Sequence, residues 1–280
     1  MREKIKLVLQ GSENRMTVWT RVILASILMA AFLGVLISTV PVSAQTLEPT
    51  WDSSLGWDFE CHTNTHVNLK GSSEATIRAE LEAVNATFIA HGYAVPQHTA
   101  YPFGNYDPTV ESIVSQYRKT GRTVSGNMET YPVPNWYELK TAQLKRNTRF
   151  PKLQAIVDQC IATNALLHIF THDVADKPST WGAKTAVLIQ LLDYLKAKQD
   201  ASQLQVMTMA EAYDLWSTAT ANPKATVVIS FDDGYETDYT TVYPLFKARS
   251  LKGTSYIVTS FIGQPDQLTW EQIALMRAGA

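Results

Sequence analysis

Ala225-Thr226-Val227-Val228-Ile229-Ser230-Phe231-Asp232-Asp233-Gly234 is the stretch that decides how this 280-residue chain is read. Its first six residues are rich in β-branched side chains and carry no charge, the pattern of a parallel strand covered on both faces. Two adjacent carboxylates then stand where the strand ends, the place where parallel sheets and barrels bind ligands. Neighbouring acids there can divide labour, one ligating a cation and the other taking a proton. A helix cap followed by a turn accounts for one Asp but not for both.

Working outward, strands and helices alternate from Trp57 to Ala280. A strand over Trp57–Cys61 leads to a helix capped by Ser73, with Ile77, Leu81, Val84 and Phe88 on one face and Gly92 at its close. A second strand ends at Pro102-Phe103-Gly104, and Asp107 then caps a helix with Pro108 at its first position. Residues 121–150, rich in Pro, Asn and Thr, read as a long loop or excursion. Helix around 152–161, strand over 166–171, helix over 180–198, strand over 204–208 and a helix reaching Trp216 follow. Beyond the opening stretch, a helix ends near Gly253, a strand covers 255–259, and Thr269 with Gln272 forms a capping box. Repeated βα units imply a parallel sheet or an α/β barrel.

His62-Thr63-Asn64-Thr65-His66 places two imidazoles where a helical turn or compact loop brings them onto one cation. Such a pair alone is weak evidence, since exposed or hydrogen-bonded histidine pairs recur by accident. His91 reads as a helix C-cap, His98 as solvent-facing and His168 as a satisfied core histidine.

Taken together, Ser230–Gly234, His62–His66, Tyr101-Pro102-Phe103-Gly104 and Phe170-Thr171-His172-Asp173 resemble the first, second, third and fifth motifs of the polysaccharide deacetylases, carbohydrate esterase family 4. The resemblance covers nearly all of residues 51–280. It implies a distorted (β/α) barrel and a divalent metal, usually zinc, held by Asp233, His62 and His66. It further implies Asp232 as base, the Phe103 backbone N–H at the oxyanion, His172 as the acid that protonates the departing amine, and Phe170 against the acetyl methyl group. Tyr101 and Trp136 are candidate substrate contacts, with Asn135-Trp136 the nearest match to the fourth motif. The third motif departs from the family at Ala100, where Arg is usual. Arg122, in the strand-like run Thr120–Val124, is a candidate to supply that guanidinium beside Asp232; an exposed Arg on a surface strand is the plain alternative.

In the family the first motif comes first, whereas here it comes last, 166 to 171 residues beyond the histidines. Circular permutation explains this, with 225–280 supplying the βαβα portion missing before Trp57 and Ala280 expected near Gly56; a truncated second domain is the alternative. The function implied is metal-dependent removal of N-acetyl groups from an N-acetylglucosamine polysaccharide. A carbohydrate-binding relative without turnover, or an iron oxygenase using a two-His-one-carboxylate triad, are the rivals.

Residues 1–44 read as a secretory signal peptide, since Arg15 and Arg21 precede the apolar run Val22–Val40 and Val42-Ser43-Ala44 offers a cleavage site. The run is also long enough for an uncleaved membrane anchor. This implies a secreted or extracytoplasmic catalytic domain over 45–280. That part holds 19 basic and 24 acidic residues, a net charge of −5, so no nucleic-acid partner is implied. Cys61 and Cys160 read as buried free thiols.

Overall fold

The structure, a computed structural model, describes Trp57 to Gly279. The expected signal segment lies outside these residues, as do Gly56 and Ala280.

Seven parallel strands close into a barrel. In chain order they are β1 (Asp58–Cys61), β2 (His98–Ala100), β3 (Thr120–Gly126), β5 (Leu139–Gln143), β6 (Leu166–Thr171), β10 (Thr226–Asp233) and β11 (Thr254–Ile257). The order around the ring equals the order along the chain. β6 meets β10 through six registered pairs from Thr226–Leu166 to Phe231–Thr171, and β11 meets β1 from Asp58–Thr254 to Cys61–Ile257. The short strand β4 (Met128–Glu129) runs antiparallel on β6, β9 (Gln205–Met207) adds to the start of β10, and β7 (Val174–Ala175) pairs apart with β8 (Ala183–Lys184).

The helices cover the ring for reasons written in their ends. Helix α1 (Glu74–Ala90) is capped by Ser73, whose hydroxyl accepts the Thr76 N–H, and its buried face is Ile77, Leu81, Val84 and Phe88. α2 (Pro108–Val114) is capped by Asp107, and α7 (Trp270–Ala278) begins with the full Thr269–Gln272 capping box. Between them lie α3 (Phe150–Thr163), α4 (Thr185–Asp200), α5 (Met209–Thr218) and the short α6 (Tyr243–Lys247). The helix expected to end near Gly253 is therefore brief, and a π-helical stretch over Asp238–Val242 precedes it. His91 is the C-cap of α1 and stacks on Trp270 at 4.0 Å.

Two expectations are corrected. Residues 121–150 are not a loop excursion, because they hold β3, β4 and β5. Their alternation was hidden because these strands face a polar interior, where Thr120, Arg122 and Thr141 are buried. His98 is not solvent-facing but 1% exposed, with Nδ1 3.0 Å from the Thr120 hydroxyl. His168 is buried with Nε2 2.8 Å from the Ser230 hydroxyl, but its Nδ1 has no hydrogen-bond partner, so it is only half satisfied; both cysteines are buried and free.

The two ends of the described chain are sewn together. The Trp57 N–H donates to the Met276 carbonyl at 3.2 Å, and the Asp58 N–H to the Gly253 carbonyl at 3.1 Å. Trp57 Nε1 donates to the Ser255 hydroxyl at 3.0 Å, which donates to Asp238 at 2.8 Å. The Trp57 ring packs against Phe246 at 4.9 Å and Phe231 at 5.9 Å, contacts worth about 0.5–1.5 kcal/mol each beyond their buried area.

Deleting residues 225–280 would remove β10 and β11 and turn β1 and β6 into open edges. The remainder is expected to bind a hydrophobic dye and to show no cooperative thermal transition by circular dichroism. A soluble remainder that unfolds cooperatively would contradict the closed ring as the folding unit.

Candidate metal centre

A cavity of about 620 Å³ opens at the carboxyl ends of the barrel strands. Its wall is assembled as each strand ends: His62 follows β1, Tyr101 and Phe103 follow β2, Gln143 closes β5, Phe170 and His172 lie at the end of β6, and Asp232 and Asp233 close β10. Strand alternation alone would send the two aspartates to opposite faces. Asp233 has φ 73°, in the left-handed region, and with the regular extended path broken there both carboxylates line the cavity.

The histidine pair sits in a compact loop rather than on a helix. One oxygen of the Glu80 carboxylate accepts the N–H groups of Asn64 and Thr65, both at 2.8 Å, and the other accepts the Thr65 hydroxyl at 2.7 Å. The Thr63 hydroxyl accepts the His66 N–H at 3.0 Å. His62 Nδ1–H donates to the Ala100 carbonyl at 2.8 Å, which leaves its Nε2 lone pair facing Asp233 Oδ1 at 3.5 Å. His66 Nε2 stands 3.6 Å from the same oxygen. One ligand atom from each of His62, His66 and Asp233 lies within 4.8 Å of the others.

The chemistry of this donor set fits a divalent cation. Asp233 Oδ1 is buried and accepts no hydrogen bond. Burial pushes His62 down to about 3 and lowers His66, so both imidazoles are neutral, the form that ligates metal. Burial pushes the Asp233 carboxyl up to about 6, with His172 opposing.

Asp232 is held differently. Burial would push its carboxyl up, but the Arg122 guanidinium above all overrides that and holds it below the usual carboxylate range. The Arg122 guanidinium donates directly to Asp232 Oδ1 and is itself fully buried, so the plain alternative of a solvent-facing Arg122 does not hold. It lies between the rings of Phe170, at 4.5 Å, and Tyr256, at 4.8 Å. In the barrel register Arg122 stands opposite Ala100, the position where the third motif lacks its Arg. The neighbouring Gly121 makes room for Tyr101, whose hydroxyl a Cβ there would meet at 2.2 Å.

The other expected site residues are placed unevenly. His172 lines the cavity with Nε2 4.0 Å from Asp233 Oδ2. Phe103, at φ 61°, is 61% exposed and packs its ring 4.7 Å from that of His66. Phe170 is buried in the wall, and Tyr101 reaches the wall while its hydroxyl donates inward to the Tyr137 carbonyl at 3.0 Å. Trp136 is not at the site: it packs against Tyr213 of α5 at 4.9 Å, in a separate cluster with Leu139 and Trp216. The reason is directional. Trp136 precedes β5, at the amino end of a parallel strand, whereas the cavity lies at the carboxyl ends.

Trp181, Lys145 and Tyr235 also line the cavity and were not singled out by sequence. Trp181 is 51% exposed, and the Lys145 ammonium sits 4.3 Å from its ring centroid. Each is a lone residue in a loop, with no periodicity or motif to mark it.

A polysaccharide deacetylase family model matches residues 53–121 and 219–279. No curated protein matches the sequence. Among solved structures, the chain is similar to IcaB from Ammonifex degensii, with 25% identity over 41% of this chain and 48% of that one and a TM-score of 0.37. It is also similar to the Streptococcus pyogenes deacetylase PplD, at 22% identity over 39% and 50% with a TM-score of 0.34. A de-N-acetylase from Aggregatibacter actinomycetemcomitans gives 23% identity over 39% and 48% with a TM-score of 0.34. Each match spans half or less of the solved chain. The polysaccharide deacetylase family model falls on the two segments that carry His62, His66, Asp232 and Asp233 and that close the barrel on each other, so the match is a domain split in two along the chain, consistent with circular permutation.

Proposed function

We propose that this protein is a metal-dependent deacetylase that removes N-acetyl groups from an N-acetylglucosamine-containing polysaccharide and releases acetate. The observation that carries the reading is the convergence of His62, His66 and Asp233 within 4.8 Å, beside a second carboxylate held ionised by a buried guanidinium. Two neutral imidazoles and a carboxylate converging on one point suit a divalent cation, and an ionised acid next to them suits a base.

In this reading His62, His66 and Asp233 hold the divalent cation, with zinc matching two imidazoles and a carboxylate. When bound, it supplies Lewis-acid polarisation of the acetamide carbonyl and lowers the pKa of a water. Asp232 takes the proton from the attacking water, and Arg122 orients that carboxylate and keeps it charged. The Phe103 N–H donates to the developing oxyanion. His172 delivers a proton to the departing amine, and Phe170 flanks the acetyl methyl group. We further propose, from residues 1–44, that the protein acts outside the cytoplasm.

Ala100 favours the rival reading of a carbohydrate-binding relative without turnover. The guanidinium of Arg122, in register with Ala100 and bonded to Asp232, supports turnover instead. Acetate release from N-acetylglucosamine oligomers is expected, lost on chelation and restored by zinc. Chelator-insensitive release, or none from protein that retains one metal per chain, would count against the proposal.

Two variants separate coordination from proton transfer. His62→Ala should lose the metal, while Asp232→Asn should keep it and lose turnover by on the order of 100-fold or more. Metal analysis beside acetate assays checks this, and equal metal loss in both variants would overturn the division of roles.

Arg122→Ala should lower kcat by on the order of tenfold with metal content unchanged. Because Arg122 holds the Asp232 carboxyl down, its removal raises that group, and the base is protonated at higher pH. The acidic limb of the pH–rate profile should therefore move upward, with Arg122→Lys restoring part of the shift. An unmoved limb would remove Arg122 from the mechanism.

A further inference from the structure

A second cavity, of about 560 Å³, is lined by Arg146, Asn147, Arg149, Phe150, Lys184 and neighbouring residues, with no acidic side chain in its wall. Arg146, Arg149 and Lys184 are exposed, and none has a carboxylate in ion-pair contact among the described residues. This is unusual in a chain whose residues 45–280 carry a net charge of −5. Unpaired cations are normally offset by scattered acids on a mixed surface.

The second cavity is continuous along the chain with the metal centre on two sides. Gln143 and Lys145 line the first cavity and Arg146 to Pro151 the second. Ser179 and Trp181 line the first, and Lys184 and Val187 the second. Both segments leave the carboxyl ends of barrel strands, β5 and β6, so the two cavities share one face. Where both segments pass from the first cavity toward the second, the first is lined by the half-exposed indole of Trp181 with the Lys145 ammonium on its ring. An indole suits the apolar face of a sugar ring, and guanidinium forks suit carboxylate or phosphate. A third cavity, lined by Asp107, Glu111 and Glu138 together with Lys70, is not a cationic surface of this kind.

We propose, resting on the deacetylase reading, that the substrate is an anionic N-acetylated glycan. Its chain leaves the metal centre over Trp181, and its carboxylate or phosphate groups lie against Arg146, Arg149 and Lys184. Charge complementarity orients the polymer, since its anionic groups are drawn to the side of Arg146, Arg149 and Lys184.

The test is binding to metal-loaded Asp232→Asn protein, which separates recognition from turnover. The probes are a neutral N-acetylglucosamine oligomer, an equal-length oligomer alternating N-acetylglucosamine with glucuronate, and a glycerol-phosphate-substituted oligomer. One or both anionic oligomers should bind on the order of tenfold tighter at low salt, with the advantage shrinking as salt rises, and which of them does names the group read. Adding Arg146→Glu, Arg149→Glu and Lys184→Glu should abolish that preference while thermal unfolding stays cooperative. Equal binding of neutral and anionic oligomers, or a preference that survives the three reversals, would overturn the proposal. Binding to phosphatidylglycerol vesicles without binding to any oligomer would overturn it too, assigning the face to lipid. Acetate assays on the unsubstituted enzyme run alongside: an intact binding preference with no release from any oligomer would sink the deacetylase reading and leave the anionic glycan site standing.

Discussion

A sheet of parallel strands has unpaired edges unless its last strand finds its first, and everything else in this protein depends on that closure. β11 pairs with β1, and β6 with β10, so seven strands share their backbone hydrogen bonds around a ring. A ring whose spatial order equals its chain order has no privileged starting point. The polypeptide can begin at β1 or at β10 and produce the same barrel, provided its ends meet. Here the bonds from Trp57 to Met276 and from Asp58 to Gly253 bring those ends together. The candidate metal site inherits this property, because His62 and Asp233 lie on either side of β11 and not at opposite ends of anything in space.

Within the ring, electrostatics decide which acid does what. Asp232 and Asp233 are sequence neighbours, and although Asp232 is the more deeply buried, its carboxyl is held down while that of Asp233 is pushed up. The difference is Arg122, whose guanidinium bonds only the first. Burying such a pair is costly, and removing one partner of a buried pair costs about 3–5 kcal/mol because the other charge is then stranded. The aromatic faces of Phe170 and Tyr256 on the guanidinium offset part of that desolvation. A charge so held lies beneath the floor of the cavity, where it serves the carboxylate above it.

Much of this was legible in the sequence where local chemistry and tertiary structure agree. The β-branched run before Ser230 is a buried parallel strand, and the caps at Ser73, Asp107 and Thr269 act at the positions their residue types suggest. The histidine pair, weak by itself, was readable beside the two aspartates through the resemblance of four motifs to one family. What escaped follows from the polar interior. β3 and β5 carry Thr120, Arg122 and Thr141 inward, so no apolar alternation announced them, and His98 was taken for a surface residue for the same reason. Trp136 and Trp181 could not be told apart by sequence, since both are lone tryptophans in loops; only strand direction puts the first at the closed end and the second at the mouth.

The central claim is that one metal site is built from both ends of the chain, and X-ray absorption of the zinc-loaded protein tests it most directly. The account predicts one zinc per chain, with two imidazole nitrogens at about 2.0–2.1 Å and carboxylate or water oxygen at about 2.0–2.2 Å. A spectrum without imidazole scattering, or zinc bound at well under one ion per chain, would contradict it.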